Sequence, residues 1–274
     1  MSQFKFTRLQ IKLVCVISLT LHSFAPVQAK PDKSVTGVQN QNFSSSNKFN
    51  KVKNSLVFNA PPPPDDIDAP SDRTAGGTRG CKNTNQQIAG TQLKRLTALA
   101  PVYSSKDSEL VLGLTTASHP TFWFYIPDLP EVSAEFVLQN AAGQIVYQTP
   151  ISLSGTPGVV SLSLPSTVSP LEINQLYHWY FNIYCQPQQP PIFVEGWIRR
   201  DSVPLMLKSN LDNALPEKRV ALFAAHGIWY DALTTAAAVR RTDQKSNDWA
   251  ALLQAIDLAA IAQEPVVKCC QPVN

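Results

Sequence analysis

The stretch YHWYFNIYC, residues 177–185, limits the fold more than any other. Its side chains alternate: Tyr177, Trp179, Phe181, Ile183 and Cys185 fall on one face of a pleated strand, and His178, Tyr180, Asn182 and Tyr184 on the other. The same period of two recurs between about 92 and 200, in LKRLTALAPV, LVLGLTT, TFWFYIP, AEFVLQ, QIVYQTP, VVSLSLP and IFVEGWIRR. Each run is rich in Val, Ile, Thr and aromatics and is bounded by Pro, Gly, Asn or Ser. QNAAGQ, 139–144, reads as a hairpin loop with Gly143 at the positive-φ position, and SGTPGV, 154–159, as a second turn. Eight strands with no helical stretch between them predict an antiparallel β-sandwich of the immunoglobulin-like kind rather than a parallel α/β sheet.

After Pro204 the period changes. PEKRVALFAAHGIWYDALTTAAAVRR and NDWAALLQAIDLAAIAQ are rich in Ala and Leu, with apolar residues at i, i+3 and i+4. Pro216 suits the first turn of a helix and Gly227 its end. The pattern predicts helices over 216–226, 229–241 and 247–262, so the fold class is α+β.

The N-terminal region decides location. Lys5, Arg8 and Lys12 precede and enter an apolar stretch over Ile11–Leu21, and VQA, 27–29, supplies the small residues read at a signal-peptide cleavage site. The stretch is too short for a membrane anchor. It predicts a signal peptide over 1–29, cut between Ala29 and Lys30, and an exported chain in the periplasm, envelope or extracellular space. The whole chain has 23 Lys+Arg and 20 Asp+Glu, but the signal holds three of the basic residues and no acid, so the mature chain carries 20 of each. The sequence pI of 8.6 is thus largely the signal's, and no basic block remains for a run of phosphates. No transmembrane segment is expected in the mature chain. Residues 30–80 are polar, then rich in Pro, Gly and acids, and read as a disordered or extended linker with polyproline II at Pro61–Pro64. The expected organisation is a sandwich domain over 81–203, a helical segment over 204–262 and a tail over 263–274.

DRTAGGTRGC, 72–81, raises the possibility of an anion cradle, but it lacks Gly-Lys-Ser/Thr after a four-residue spacer and no apolar strand precedes it. Counted from Asp66, a calcium loop fails as well: Ser71 stands at the glycine position and no glutamate at the twelfth. No cofactor is expected. The glycines serve to deliver Cys81. Export leaves Cys81, Cys185, Cys269 and Cys270 in an oxidising compartment, where three full pairings are open. A Cys81–Cys185 bond is expected, closing a loop of about 100 residues worth up to ~4–5 kcal/mol by loop entropy. Pairing of either with the Cys269–Cys270 tail is the rival.

Catalytic signatures are absent: the chain has no H-x-x-H, H-E-x-x-H, C-x-x-C or G-x-S-x-G. His119, His178 and His226 each have a structural reading, and a set such as Ser118, His119 and Asp128 is available in any β protein. Trp123 and Trp197 are candidates for a sugar-stacking platform, although alternation favours the core. The expected function is a non-catalytic interaction or scaffold protein with a protein or envelope partner. A carbohydrate-binding module and, last, an unrecognised hydrolase are the alternatives.

Two resemblances add to this. AAHGIWYDALTTAAAVRR resembles the core of a tetratricopeptide repeat, which implies Gly227 and Ala232 as small residues at a helix crossing and Trp229 near the aromatic position. DWAALLQ would begin a following repeat, and so short an array implies that the helices pack on the sandwich. The combination of PPPPDD…DRTAGGTRGC, GLTTASHPTFWFYIP, PGVVSLSLP, YHWYFNIYC, GWIRR and GIWYDAL, over roughly 60–262, resembles the cyanobacterial domain-of-unknown-function family numbered 928. That likeness implies a secreted or periplasmic protein without an assigned activity.

Overall fold

The computed structural model describes residues 56–64, 67, 71–75, 94–104 and 109–269. All lie in one compact unit, Val52–Asn274. The expected signal peptide with its Ala29/Lys30 cleavage site, most of the linker, Cys81 and Cys270 lie outside the described residues.

Among the described residues nine strands come first: β1 (Thr97–Ala98), β2 (Val102–Ser104), β3 (Glu109–Thr115), β4 (Thr121–Ile126), β5 (Val132–Asn140), β6 (Ile145–Leu153), β7 (Gly158–Ser163), β8 (Leu176–Tyr184) and β9 (Ile192–Arg200). Four α-helices follow among them: α1 (Leu205–Asp212), α2 (Pro216–Ala225), α3 (Trp229–Thr242) and α4 (Asp248–Ala255). The strands form a three-stranded sheet, β1-β4-β7, and a six-stranded sheet, β2-β3-β9-β8-β5-β6. Neighbours pair antiparallel except β3 and β9, which run parallel.

The two sheets pack face to face because alternation gives each an aromatic side. Phe122 and Phe124 of β4 meet Phe136 of β5 and Trp179 and Phe181 of β8, with ring centroids 4.8 Å (Phe122–Phe136), 5.7 Å (Phe124–Trp179) and 4.4 Å (Phe124–Phe181) apart. Such pairs add about 0.5–1.5 kcal/mol each beyond their area burial. On β8 the expected inner face holds: Tyr177, Trp179, Phe181 and Ile183 are all buried. The hairpin between β5 and β6 turns at Gly143, whose φ of 74° needs a residue without Cβ strain.

Three differences from the sequence pattern have physical causes. The run LKRLTALAPV is not one strand. It breaks before Pro101, which has no N–H for a ladder, and β1 and β2 join different sheets. The helix expected over 247–262 stops at Ala255, because Asp257 takes a left-handed φ of 61° and the chain continues as a 3-10 turn, Ala259–Ile261. The unexpected α1 buries only Leu207 and leaves Leu205 and Met206 in solvent, so it has no apolar stripe to read.

Part of the expected linker is docked rather than disordered. Residues 56–64 run extended against the helices: the Asn59 backbone N–H donates to the Ala224 carbonyl at 3.0 Å, its side-chain Nδ2 to the Ala225 carbonyl at 2.9 Å, and Phe58 sets its edge on Trp229 at 4.9 Å. The few apolar residues of a polar segment, Leu56 and Phe58, supply the burial that composition alone hid. The opening of DRTAGGTRGC is equally fixed. Thr74 bridges Thr97, the Glu195 N–H donates to the Asp72 carbonyl, and the Ser71 hydroxyl takes the Val111 N–H. Among the described residues no helix is long and apolar enough to cross a membrane.

Candidate functional site

The outward face of the six-stranded sheet carries a set of polar and aromatic side chains. Register builds it. His178 of β8 lies opposite Trp197 of β9 and Gln139 of β5. Tyr180 lies opposite Glu195, and Asn182 opposite Phe193 and Glu135. Residues directly opposite on one face of an antiparallel pair have Cβ atoms about 4.5–5.5 Å apart, which brings these side chains within reach of one another.

At one end the His178 ring lies flat on Trp197, with centroids 4.2 Å apart and planes 11° from parallel. Its Nδ1 is 2.9 Å from the Tyr180 hydroxyl. Its Nε2 is 2.9 Å from Glu195 Oε2, in an orientation outside that of a directed hydrogen bond. Burial, and then the Glu195 charge, push the Tyr180 pKa above its ordinary value. Tyr180 therefore stays a neutral phenol. Its hydroxyl pairs with the ring at Nδ1, while Nε2 lies beside the Glu195 carboxylate. The arrangement stacks and positions the two rings.

At the other end Glu135 accepts from Gln148 Nε2 at 2.6 Å and from the Tyr184 hydroxyl at 3.1 Å. Burial first, then the hydrogen bond to Glu135, raise the Tyr184 pKa. Tyr184 and Phe193 are 37% and 38% exposed, so two aromatic side chains stand at the surface beside a carboxylate and two amides. The face thus offers ring surfaces, acceptors and donors across an open sheet rather than inside a cavity.

The other candidate residues are placed elsewhere. His119 has Nδ1 3.0 Å from the Ser118 hydroxyl and Nε2 2.9 Å from the Val168 carbonyl. Both ring nitrogens are occupied by these partners. His226 holds the Leu222 carbonyl through Nδ1 at 2.8 Å at the end of α2. Of the two tryptophans, Trp123 belongs to the core, 2% exposed, with Nε1 donating to Thr234 Oγ1; Trp197 is the one on the outward face. Trp229 and Ala232 are fully buried in α3, and Trp229 Nε1 donates to the Leu99 carbonyl at 2.8 Å. Gly227 requires a correction. A Cβ there would come 2.6 Å from the Asn59 carbonyl and 2.7 Å from the Pro61 ring, so the room it makes is for the docked 56–64 segment, not for a crossing helix. Cys185 and Cys269 are half-buried against the core and neither sulfur is free.

Sequence reasoning passed over Asp231. Its carboxylate accepts from Thr115 Oγ1 at 2.6 Å, Thr116 Oγ1 at 2.6 Å and the Thr116 N–H at 3.1 Å, pinning α3 to the end of β3. Burial raises its pKa and the threonine bonds oppose the rise. The signal was a single acid in the otherwise apolar turn GIWYDAL, with two adjacent threonines closing a strand. Among the described residues no group of three or more His, Cys, Asp or Glu is placed to hold a metal ion.

Residues 74–266 match the family described as Domain of Unknown Function (DUF928). The chain belongs to the DUF928 family. No curated protein matches it. Among solved structures, a Parabacteroides merdae β-glucuronidase with glycerol in its active site is similar over 37% of this chain and 13% of its own, at 13% identity and a TM-score of 0.19. The overlap is a small fraction of that enzyme. The matched residues take in all nine strands and all four helices of the described structure.

Proposed function

We propose that this DUF928 protein is an exported, non-catalytic binding protein, and that the outward face of β9-β8-β5-β6 engages a protein or envelope partner. One observation carries the reading: Tyr184 and Phe193 stand exposed beside the hydrogen-bonded pair of Glu135 and Gln148 on the sheet. Exposed aromatics flanked by satisfied polar groups are what binding surfaces use. The strand order supports an immunoglobulin-like sandwich, since β3 pairs parallel with β9 on one sheet while β1 starts the other. Such sandwiches commonly serve as binding scaffolds, a likeness of fold rather than of site. The signal peptide over 1–29 accounts for export, and a Cys81–Cys185 bond would staple the lead-in to the end of β8. Non-reducing peptide mapping tests the bond; a Cys81 peptide recovered free, or joined to the tail, overturns it.

In-cell photo-crosslinking is the deciding experiment. A photoreactive residue at Tyr184 or Phe193 is expected to capture one recurrent partner that the same residue at the exposed Lys218 of α2 does not. Equal yields at all three positions would remove this face from the proposal. A second reading, an envelope polysaccharide as partner, is favoured by the same two aromatics, since ring faces stack on sugars. Retention of the mature chain on immobilised envelope polysaccharide, lost in Tyr184→Ala, would support it.

A further inference from the structure

A second place in the molecule has donors without acceptors. At the C-terminal end of α3 a cavity of about 340 Å³ is lined by Ala237, Arg240, Arg241, Gln244 and Val266. Val266 belongs to the tail, which returns to pair with Val159 at the edge of the three-stranded sheet and so closes one side of the cavity. Arg240 lies with its guanidinium 5.7 Å from the centre of the Trp249 ring. Beside that contact, Arg240 Nη1 is buried and has no hydrogen-bond partner among the described residues. The ring beneath carries a second orphan donor, Trp249 Nε1, which is likewise buried and unpaired.

A buried donor without an acceptor is costly, and more so when charged. No acidic residue is among the side chains lining the cavity. The nearby Asp243 is turned to its own loop, where Oδ1 accepts the Lys245 N–H at 2.9 Å. Among the described residues these donors lack an acceptor, and a negatively charged, acceptor-rich group would supply one. A guanidinium held over an indole is oriented in advance, which suits two-point recognition of a carboxylate or phosphate. The volume lies at the lower end of small-molecule sites and exceeds what a bare inorganic ion needs.

We propose that this cavity is a binding site for a small organic oxyanion, a carboxylate or a phosphate monoester, held by Arg240 and Arg241 with Gln244 at the rim. The site is separate from the outward sheet face and stands or falls independently of it.

Calorimetric titration of the mature chain with citrate, with glycerol 2-phosphate and with neutral glycerol tests the proposal. One or both anions are expected to bind saturably while glycerol does not, and which anion binds distinguishes carboxylate from phosphate. Arg240→Gln and Arg241→Gln should each weaken binding about tenfold or more, and Lys218→Gln should not. If Arg240→Gln fails to fold, Arg241→Gln and the arginine Nε–H signals of the wild-type protein during titration decide. Saturable binding with a shifted Arg240 signal supports the site. Absence of binding by both anions, equal binding of glycerol, or affinity unchanged in Arg241→Gln together with an unmoved Arg240 signal overturns it.

Discussion

The two faces of β8 share one backbone and differ in almost everything else. Inward, Trp179 and Phe181 sit among Phe122, Phe124 and Val194 with no room to spare. A Cβ added at Gly196, across the ladder from Trp179, would come within 2.5 Å of the Trp179 ring. Outward, His178, Tyr180 and Tyr184 are held by hydrogen bonds and stacking to groups that water could replace. The inner face draws on burial and close packing, where each lost atom leaves a void. The outer face draws on pairwise polar contacts, whose net worth is about 1 kcal/mol each because water competes for both partners.

Four substitutions test this contrast in falling order of effect. Trp179→Ala is expected to cost about 3–5 kcal/mol in urea unfolding, and a loss below about 1 kcal/mol would break the comparison outright. Gly196→Ala adds a single methyl on the same inner side and should cost about 1–3 kcal/mol through overpacking, read as a lowered urea midpoint with an unchanged slope. His178→Ala removes the stacked ring and the tie to Tyr180, and about 1 kcal/mol is expected. A much larger loss would place His178 with the inner face in energetic kind. Tyr184→Ala should stay within about 0.5 kcal/mol while abolishing partner capture in the crosslinking assay. One methyl inside would then outweigh a whole aromatic outside, and binding would show the reverse order.

Asp231 adds a pH test of the helix-to-sheet joint. Its pKa is raised in the folded state, so the native protein holds a proton that the unfolded chain has released above the usual carboxylate range. The contribution of this group to stability therefore falls as pH rises from about 4 through the raised value. The difference in unfolding free energy between wild type and Asp231→Asn is expected to change with that sign; a flat difference would mean that the threonine bonds cancel the burial.

Much of this was legible because it is local. Alternation marks the buried residues of β8, the Gly143 turn follows from its residue type, and the Ala-Leu periodicity marks α2 and α3. The readings that failed were those in which a distant segment wins over a local tendency. Residues 56–64 look too polar to order, yet a helix end presents the Ala224 and Ala225 carbonyls that Asn59 satisfies. Gly227 resembles a helix-crossing residue, but the Asn59–Pro61 stretch is what takes the space. On the candidate face, sequence alone named His178 and Trp197 without joining them, and it passed over Glu135, Glu195 and Phe193.

By itself, then, the amino-acid order determines which side of each strand is apolar, since a period of two follows from backbone geometry at every residue. It does not determine which outward residue meets which. The stack of His178 on Trp197, the chain from Gln148 through Glu135 to Tyr184, and the seat of Arg240 over Trp249 depend on strand register and helix docking. Those are settled only when segments far apart in the chain bury their apolar sides together. Side-chain polarity is a property of each position, whereas a contact belongs to a pair and exists only after the entropy of bringing its two members together has been offset by the core as a whole.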